Sequence, residues 1–312
     1  MGKSRDPKLQ KIQRNKFIKL AVWIIFAVLI VYLGVGGYTA SVVSQVEEHP
    51  QFDKTPGSFG LEYKDISFTA RSDETKLAAW FIPNEEAVKA IILVHGRNAS
   101  KQNAISGNFP KLGAELHDAG FAVLMIDLRA HGESEGKRYS YGVYERRDVL
   151  GAVDWLTGQG FSAGNIAVLG ISLGGAATIG AAAEEPAIGA LVVDSTFADI
   201  NALIPEKFKE ESGLPMFFLP GVNFMVQMMY GYNLFEIRPV DEIVKIPPRP
   251  ILILHCSTDE EVKVSHAYML KDAVPDAELL VLDGCSHAEI FRDFPREYLD
   301  AVIPFLQEKW LE

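Results

Sequence analysis

Between Leu20 and Val46 the chain carries no charged residue, and Leu20–Gly37 is almost wholly apolar. Such a segment has few ways to fold. Roughly 20 apolar residues in helical conformation span the hydrocarbon layer of a bilayer, and a helix satisfies its own backbone there. The flanks set the orientation. Lys3, Arg5, Lys8, Lys11, Arg14, Lys16 and Lys19 precede the run against one acid, Asp6, a net of +6. Cations collect on the cytoplasmic side of a span. The expectation is a basic cytoplasmic tail at 1–19, a transmembrane helix at 20–40, and the rest of the chain on the outer side of a cell membrane. A cleaved secretory signal is the rival. Tyr38-Thr39-Ala40 suits it poorly, because bulky Tyr38 stands where a small residue is wanted, and the basic region is long.

With +6 in the tail and −11 overall, the remaining residues carry −17. An acidic body opposes nucleic-acid binding, which needs a basic face. There is no zinc-ligand spacing, phosphate-cradling glycine loop or dinucleotide fingerprint, so no metal and no organic cofactor is implied. After a polar linker at 41–60, short apolar runs alternate with helix-like stretches through 61–312. Strand candidates are Tyr63–Ala70, Leu77–Ile82, Ala90–His95, Phe121–Asp127, Asn165–Gly170, Gly189–Asp194, Pro250–His255 and Ala277–Leu282. Helix candidates are Pro110–Ala119, Tyr144–Thr157, Leu173–Ala183, Val264–Ala273 and Phe294–Trp310. That alternation predicts an α/β domain: a mostly parallel eight-stranded sheet with helices on both faces and an antiparallel start. One segment breaks the rhythm. Residues 195–246 separate two strands that a single helix could connect, and they contain Met216-Phe217-Phe218-Leu219 and the methionine-rich run Phe224–Tyr230. Three readings stand: a helical cap for apolar substrates, an ordinary helix pair on the sheet, or an apolar element resting on the membrane.

The chemical signal is Gly170-Ile171-Ser172-Leu173-Gly174. The strand-like Asn165–Leu169 precedes it and a small-residue helix follows, the setting that a nucleophile elbow requires. Ser172 is therefore the expected nucleophile. A serine hydroxyl needs a base. His49 lies in the linker, His117 and His266 on helices, His95 and His131 in early loops, and His255 closes a strand. His287, after the last strand, has the chain position expected for the base. The acid should follow the preceding strand, where Asp259 is the choice and Glu260 and Glu261 are neighbours; Asp194, one strand earlier, is a further rival. The oxyanion donors expected are the backbone N–H groups of Leu173 and Arg97.

Taken together, His95-Gly96, the Gly170–Gly174 elbow, Asp259, His287 and the loop Asp127–Gly136 resemble the α/β-hydrolase superfamily over residues 60–310, in its esterase, lipase and serine-peptidase-like branch. The resemblance implies the α/β-hydrolase fold, and implies that Arg129 and His131 in the Asp127–Gly136 loop are structural. It carries an expected activity: hydrolysis of an ester, thioester or amide through an acyl-enzyme on a Ser-Asp-His triad, with a small-molecule or lipid-like acyl substrate. A serine peptidase of the same fold and a non-catalytic membrane-anchored scaffold are the alternatives. Cys256 and Cys285 fall at the ends of adjacent strands. Two buried free thiols are the preferred expectation on cysteine's usual burial, with a disulfide as the alternative for an outward-facing domain.

Overall fold

The computed structural model describes residues 7–47 and 52–310. Lys3, Arg5, Asp6 and His49 lie outside them. By compactness the chain divides into two units, Met1–Val43 with Pro205–Leu234, and Ser44–Ile204 with Phe235–Glu312.

The larger unit is built on an eight-stranded sheet: β1 (Lys64–Thr69), β2 (Lys76–Ile82), β3 (Ala90–Val94), β4 (Ala122–Ile126), β5 (Ile166–Ile171), β6 (Ile188–Asp194), β7 (Ile251–Cys256) and β8 (Glu278–Leu282), in the order β1-β2-β4-β3-β5-β6-β7-β8. β1 pairs antiparallel with β2, and β2 antiparallel with β4; every later pairing is parallel. Each of the eight apolar runs in the sequence lies on one of these strands. The reason is visible in β3, β4 and β5, which are buried at every residue. Strands covered on both faces read as continuous apolar runs.

The helices, in chain order, are α1 (Pro7–Val43), α2 (Ala104–Gly107), α3 (Phe109–Asp118), α4 (Glu145–Gly158), α5 (Leu173–Glu184), α6 (Ile200–Ser212), α7 (Leu219–Tyr230), α8 (Pro239–Ile243), α9 (Ser265–Ala273), α10 (Ile290–Asp293) and α11 (Pro295–Pro304). One face of the sheet, with Ile92 and Val94, packs on α4, α5, α8 and α9 through Val149, Ala177, Ile243 and Leu270. The other face, with Ile91 and Leu93, packs on α3 and α11 through Leu112, Leu116, Tyr298 and Val302. The alternation along β3 thus feeds two cores. The expected helix Phe294–Trp310 is interrupted: α11 ends at Pro304, and Phe305–Lys309 forms a π-helical turn. An internal proline cannot donate to the ladder, which loosens the turn around it.

The smaller unit pairs α1 with α7. α1 begins well before the apolar run, at Pro7, and continues to Val43, so the helix extends beyond 20–40 in both directions. Within it Lys11–Val43 is long and apolar enough to cross a membrane. Phe17 through Val31 present their large apolar side chains outward.

Candidate active site

Parallel strands place their carboxyl ends on one edge of the sheet, and ligand sites of open α/β sheets form there. β3, β5, β6, β7 and β8 deliver His95, Ser172, Asp194, Asp259 and His287 to that edge.

Ser172 stands between β5 and α5 with φ 53° and ψ −114°. A side chain at positive φ is strained and persists only where its surroundings hold it. Three neighbours do so. The Ser172 amide donates to the Asp194 carbonyl at 2.8 Å, and its own carbonyl accepts the amides of Gly175 and Ala176. The elbow glycines are dictated by contact. A Cβ on Gly174 would lie 2.4 Å from the His95 carbonyl oxygen, and one on Gly170 would lie 2.5 Å from that of Gly174. Gly96 acts in the same way from the β3 loop: a Cβ there would lie 3.2 Å from that of Ser172.

Three residues far apart in the chain meet here. Ser172 Oγ lies 2.9 Å from His287 Nε2, and His287 Nδ1 lies 2.7 Å from Asp259 Oδ2. An ionised carboxylate only accepts, so Nδ1 carries the proton and Nε2 is left free to accept from the serine hydroxyl. The other oxygen of Asp259 accepts the amides of Glu261 and Val262, each at 2.9 Å. Burial pushes the Asp259 carboxyl up, but the His287 hydrogen bond and charge, with the Val262 amide, outweigh it and hold the group below its ordinary value. Asp259 stays ionised as a result. Glu260 and Glu261 are exposed.

Asp194 occupies a different position. It is fully buried, accepts the Ser195 hydroxyl at 2.9 Å, and burial pushes it up to about 7 against that bond. The Ser195 oxygen in turn accepts the Ala288 amide at 3.2 Å, next to His287. Ser195 and Ala288 both have positive φ. Asp194 and Ser195 therefore hold the loop of His287, while Asp259 holds its ring. Nothing in the local sequence around Ser195 announces this.

Leu173 begins α5, and the first amides of a helix have no carbonyl one turn back to bond. The loop of Arg97 is fixed by two histidines. His95 Nε2 accepts the Leu128 amide at 3.0 Å, and its Nδ1 donates to the Gly96 carbonyl at 2.7 Å. His131 repeats the pattern: Nε2 accepts the Asn98 amide at 3.1 Å, and Nδ1 donates to the Arg129 carbonyl at 2.8 Å. Both rings must be neutral to accept, and burial pushes His95 down to about 4. Arg129 forms a two-pronged ion pair with Asp148 and reaches Asp73. The Arg97 side chain points to the Tyr139 hydroxyl at 3.2 Å.

Cys256 and Cys285 are joined by a disulfide, with 5.7 Å between their Cα atoms. This corrects the preference for two free thiols. Cys256 closes β7 opposite Leu282 of β8, and the turn after Leu282 brings Cys285 back within bridging distance. The bridge ties the loop of Asp259 to the loop of His287.

Among the described residues no cluster of His, Cys, Asp or Glu is arranged to hold a metal. The arrangement sets a hydroxyl against an imidazole whose second nitrogen is held by a carboxylate, a geometry that can pass a proton from oxygen to ring.

A family model described as X-Pro dipeptidyl-peptidase (S15 family) matches residues 62–207, a span that includes Ser172 and stops short of Asp259 and His287. YqkD of Bacillus subtilis, an uncharacterized protein, is 27% identical over 83% of this chain and 81% of its own. Protein bem46 of Schizosaccharomyces pombe is 26% identical over 78% and 72%. Among solved structures, the Pyrococcus furiosus esterase Pf2001 superposes with a TM-score of 0.69 at 26% identity, covering 85% of this chain and 100% of the esterase.

Proposed function

The chain belongs to the α/β-hydrolase superfamily, and we propose that within it the protein is a serine hydrolase that cleaves a carboxylic ester through an acyl-enzyme on Ser172. The observation that carries the reading is the unbroken path from Ser172 Oγ to His287 and on to Asp259. In the first half-reaction His287 Nε2 takes the serine proton as Oγ attacks the acyl carbon. Asp259 stabilises the imidazolium without being protonated itself. The amides of Leu173 and Arg97 receive the developing oxyanion. His287 then protonates the leaving alkoxide. A water then gives its proton to Nε2 as its oxygen attacks the acyl carbon, the bond from that carbon to Oγ breaks, Nε2 returns the proton to Oγ, and the acid leaves.

An ester with an apolar acyl part is the leading substrate class, on the apolar insertion at 195–246 and the likeness to an esterase. A second reading is a peptidase with the same triad, favoured by the match to the dipeptidyl-peptidase family. A fluorophosphonate probe tests the chemistry. Labelling of the full chain that disappears in Ser172→Ala is expected, and absence of labelling on folded protein overturns the proposal. Comparing p-nitrophenyl esters of graded acyl length with Xaa-Pro anilides separates esterase from peptidase.

The N-terminal helix is proposed as an uncleaved single-pass anchor with its basic end in the cytoplasm and the hydrolase unit outside. The disulfide supports that side, since such bonds persist in oxidising compartments. Protease digestion of the hydrolase unit on intact cells is expected; protection until the membrane is opened overturns the orientation.

A further inference from the structure

We infer that residues 214–235 form a membrane-embedded element, seated in the outer leaflet beside α1, and that the partner of their exposed face is lipid acyl chain. The inference rests on the anchor proposed above.

From Leu214 to Phe235 there is no charged residue, whereas the stretch just before it, Lys207 to Glu211, holds Lys207, Lys209, Glu210 and Glu211. α7 lies in this uncharged stretch, and its buried side, Gly221, Val222 and Val226, packs within the smaller unit. Its other side exposes Phe224, Met228 and Met229, with Met216 and Phe217 in the turn that leads in; Phe217 is 63% and Met228 68% exposed. Gln227 is exposed beside them, and in water so many large apolar side chains exposed together are unfavourable and mark a surface meant to be covered.

What covers it follows from where α7 is attached. Tyr32 stacks on Phe218 with ring centroids 5.3 Å apart. A Cβ on Gly36 would lie 2.9 Å from the backbone of Gly221, and one on Gly37 would lie 3.0 Å from the end of Met225. Small residues that let backbones approach this closely are the packing device of helices in lipid. At 1.5 Å per residue, Tyr32 and Gly37 stand about 18 Å and about 26 Å beyond Leu20 along a layer of about 30 Å. α7 is thus fastened to the outer part of the span, and its free side faces the medium that surrounds α1 there.

A second observation points the same way. In hydrocarbon every backbone polar group must find a protein partner. The Tyr32 hydroxyl supplies one on each side: it donates to the Phe217 carbonyl at 2.8 Å and accepts the Gly221 amide at 3.1 Å. These are groups at the start of a helix, where the amides have no partner within the helix. At the other end the Asn223 side chain accepts the Leu234 amide at 2.8 Å.

The test is site-directed spin labelling of the full chain in phosphatidylcholine–phosphatidylglycerol vesicles. The native cysteines are bridged and stay unlabelled without reductant. Labels go at Phe217→Cys, Phe224→Cys and Met228→Cys, with Ile25→Cys in α1 and Val88→Cys in the hydrolase unit as references. All five side chains are exposed, so folding should be undisturbed. The expected result is an oxygen-to-nickel accessibility ratio several-fold above that of Val88 at all three sites, and deeper at Phe217, beside Tyr32, than at Met228. A Val88-like ratio at the three sites with a lipid-like ratio at Ile25 overturns the embedding and leaves the anchor standing. A Val88-like ratio at Ile25 overturns the anchor and the embedding with it. Low access to both reagents at the three sites overturns the embedding in favour of a protein contact such as a second copy. On the unaltered chain, a diazirine phosphatidylcholine should label peptides from 214–235 as well as from 20–37; labelling confined to 20–37 overturns the inference.

Discussion

Cutting the disulfide should cost stability by an amount that the chain itself sets. Cys256 and Cys285 are 29 residues apart. Closing a loop of that length removes about 12 cal/mol/K of entropy from the unfolded chain, or about 3.6 kcal/mol at 25 °C on the chain-entropy account. Cys256 is fully buried and Cys285 is 5% exposed, so replacing both by alanine leaves only small voids and adds about 1 kcal/mol at most. For a domain of this size each kcal/mol is worth about 2–4 °C in Tm, so the two terms together predict a fall of about 7–18 °C for the double variant Cys256→Ala/Cys285→Ala. Thermal unfolding of the solubilised full chain, followed by near-UV circular dichroism, reads it directly. Wild type treated with reductant should unfold with the variant. Two results would refute the reasoning: a variant Tm within about 2 °C of wild type, or full thiol labelling of denatured wild type that has seen no reductant. Loss of hydrolysis on heating should track the same fall, because the bridge spans the loops of Asp259 and His287.

Asp259→Asn should lower kcat about 10⁴-fold, because an amide cannot hold the reactive tautomer of His287; a loss under tenfold in ester turnover rejects Asp259 as the orienting group. Arg97→Ala should keep kcat within about tenfold, since the proposed oxyanion donor is its backbone amide, and a loss of 10²–10³ would assign that work to the side chain. Gly174→Ala drives a Cβ to 2.4 Å from the His95 carbonyl and should destabilise by about 1–3 kcal/mol or more, read as a lower urea midpoint. Asp194, raised to about 7, favours the fold fully below its unfolded value near 4, and that contribution is lost as pH climbs to about 7. Asp194→Asn should therefore raise stability at pH 8 relative to pH 5, and an equal effect at both values contradicts a neutral buried carboxyl.

How much was legible differs from element to element. The strands could be read because a strand between two helical layers has no polar face: Ala90–Val94 is apolar at every position. That Ser172, Asp259 and His287 meet could be expected because each follows a strand that ends on one edge of the sheet, and chain order alone ranks the histidines. The sequence does not show what depends on contacts between distant residues. The pins at His95 and His131 pair loops 33 residues apart, and neither ring has a local pattern that marks it as an acceptor. Tyr32 reads as one more aromatic residue in an apolar run until it meets Phe217 and Gly221, 185 and 189 residues away. Cysteine burial and cysteine pairing have the same local signature, which is why free thiols were preferred where a bridge exists. The residues flanking the bridge, Ser257 and Ser286, are silent on the matter.

The backbone at Ser172 also limits what chemistry this position could adopt under mutation. At φ 53° a β-branched side chain is strongly disfavoured, which sets threonine at a disadvantage there, while cysteine carries the same single γ atom as serine and no such branch. The turn thus weighs on what substitution can offer: of the hydroxyl and thiol side chains, it favours one that would carry an acyl group as a thioester over a secondary alcohol.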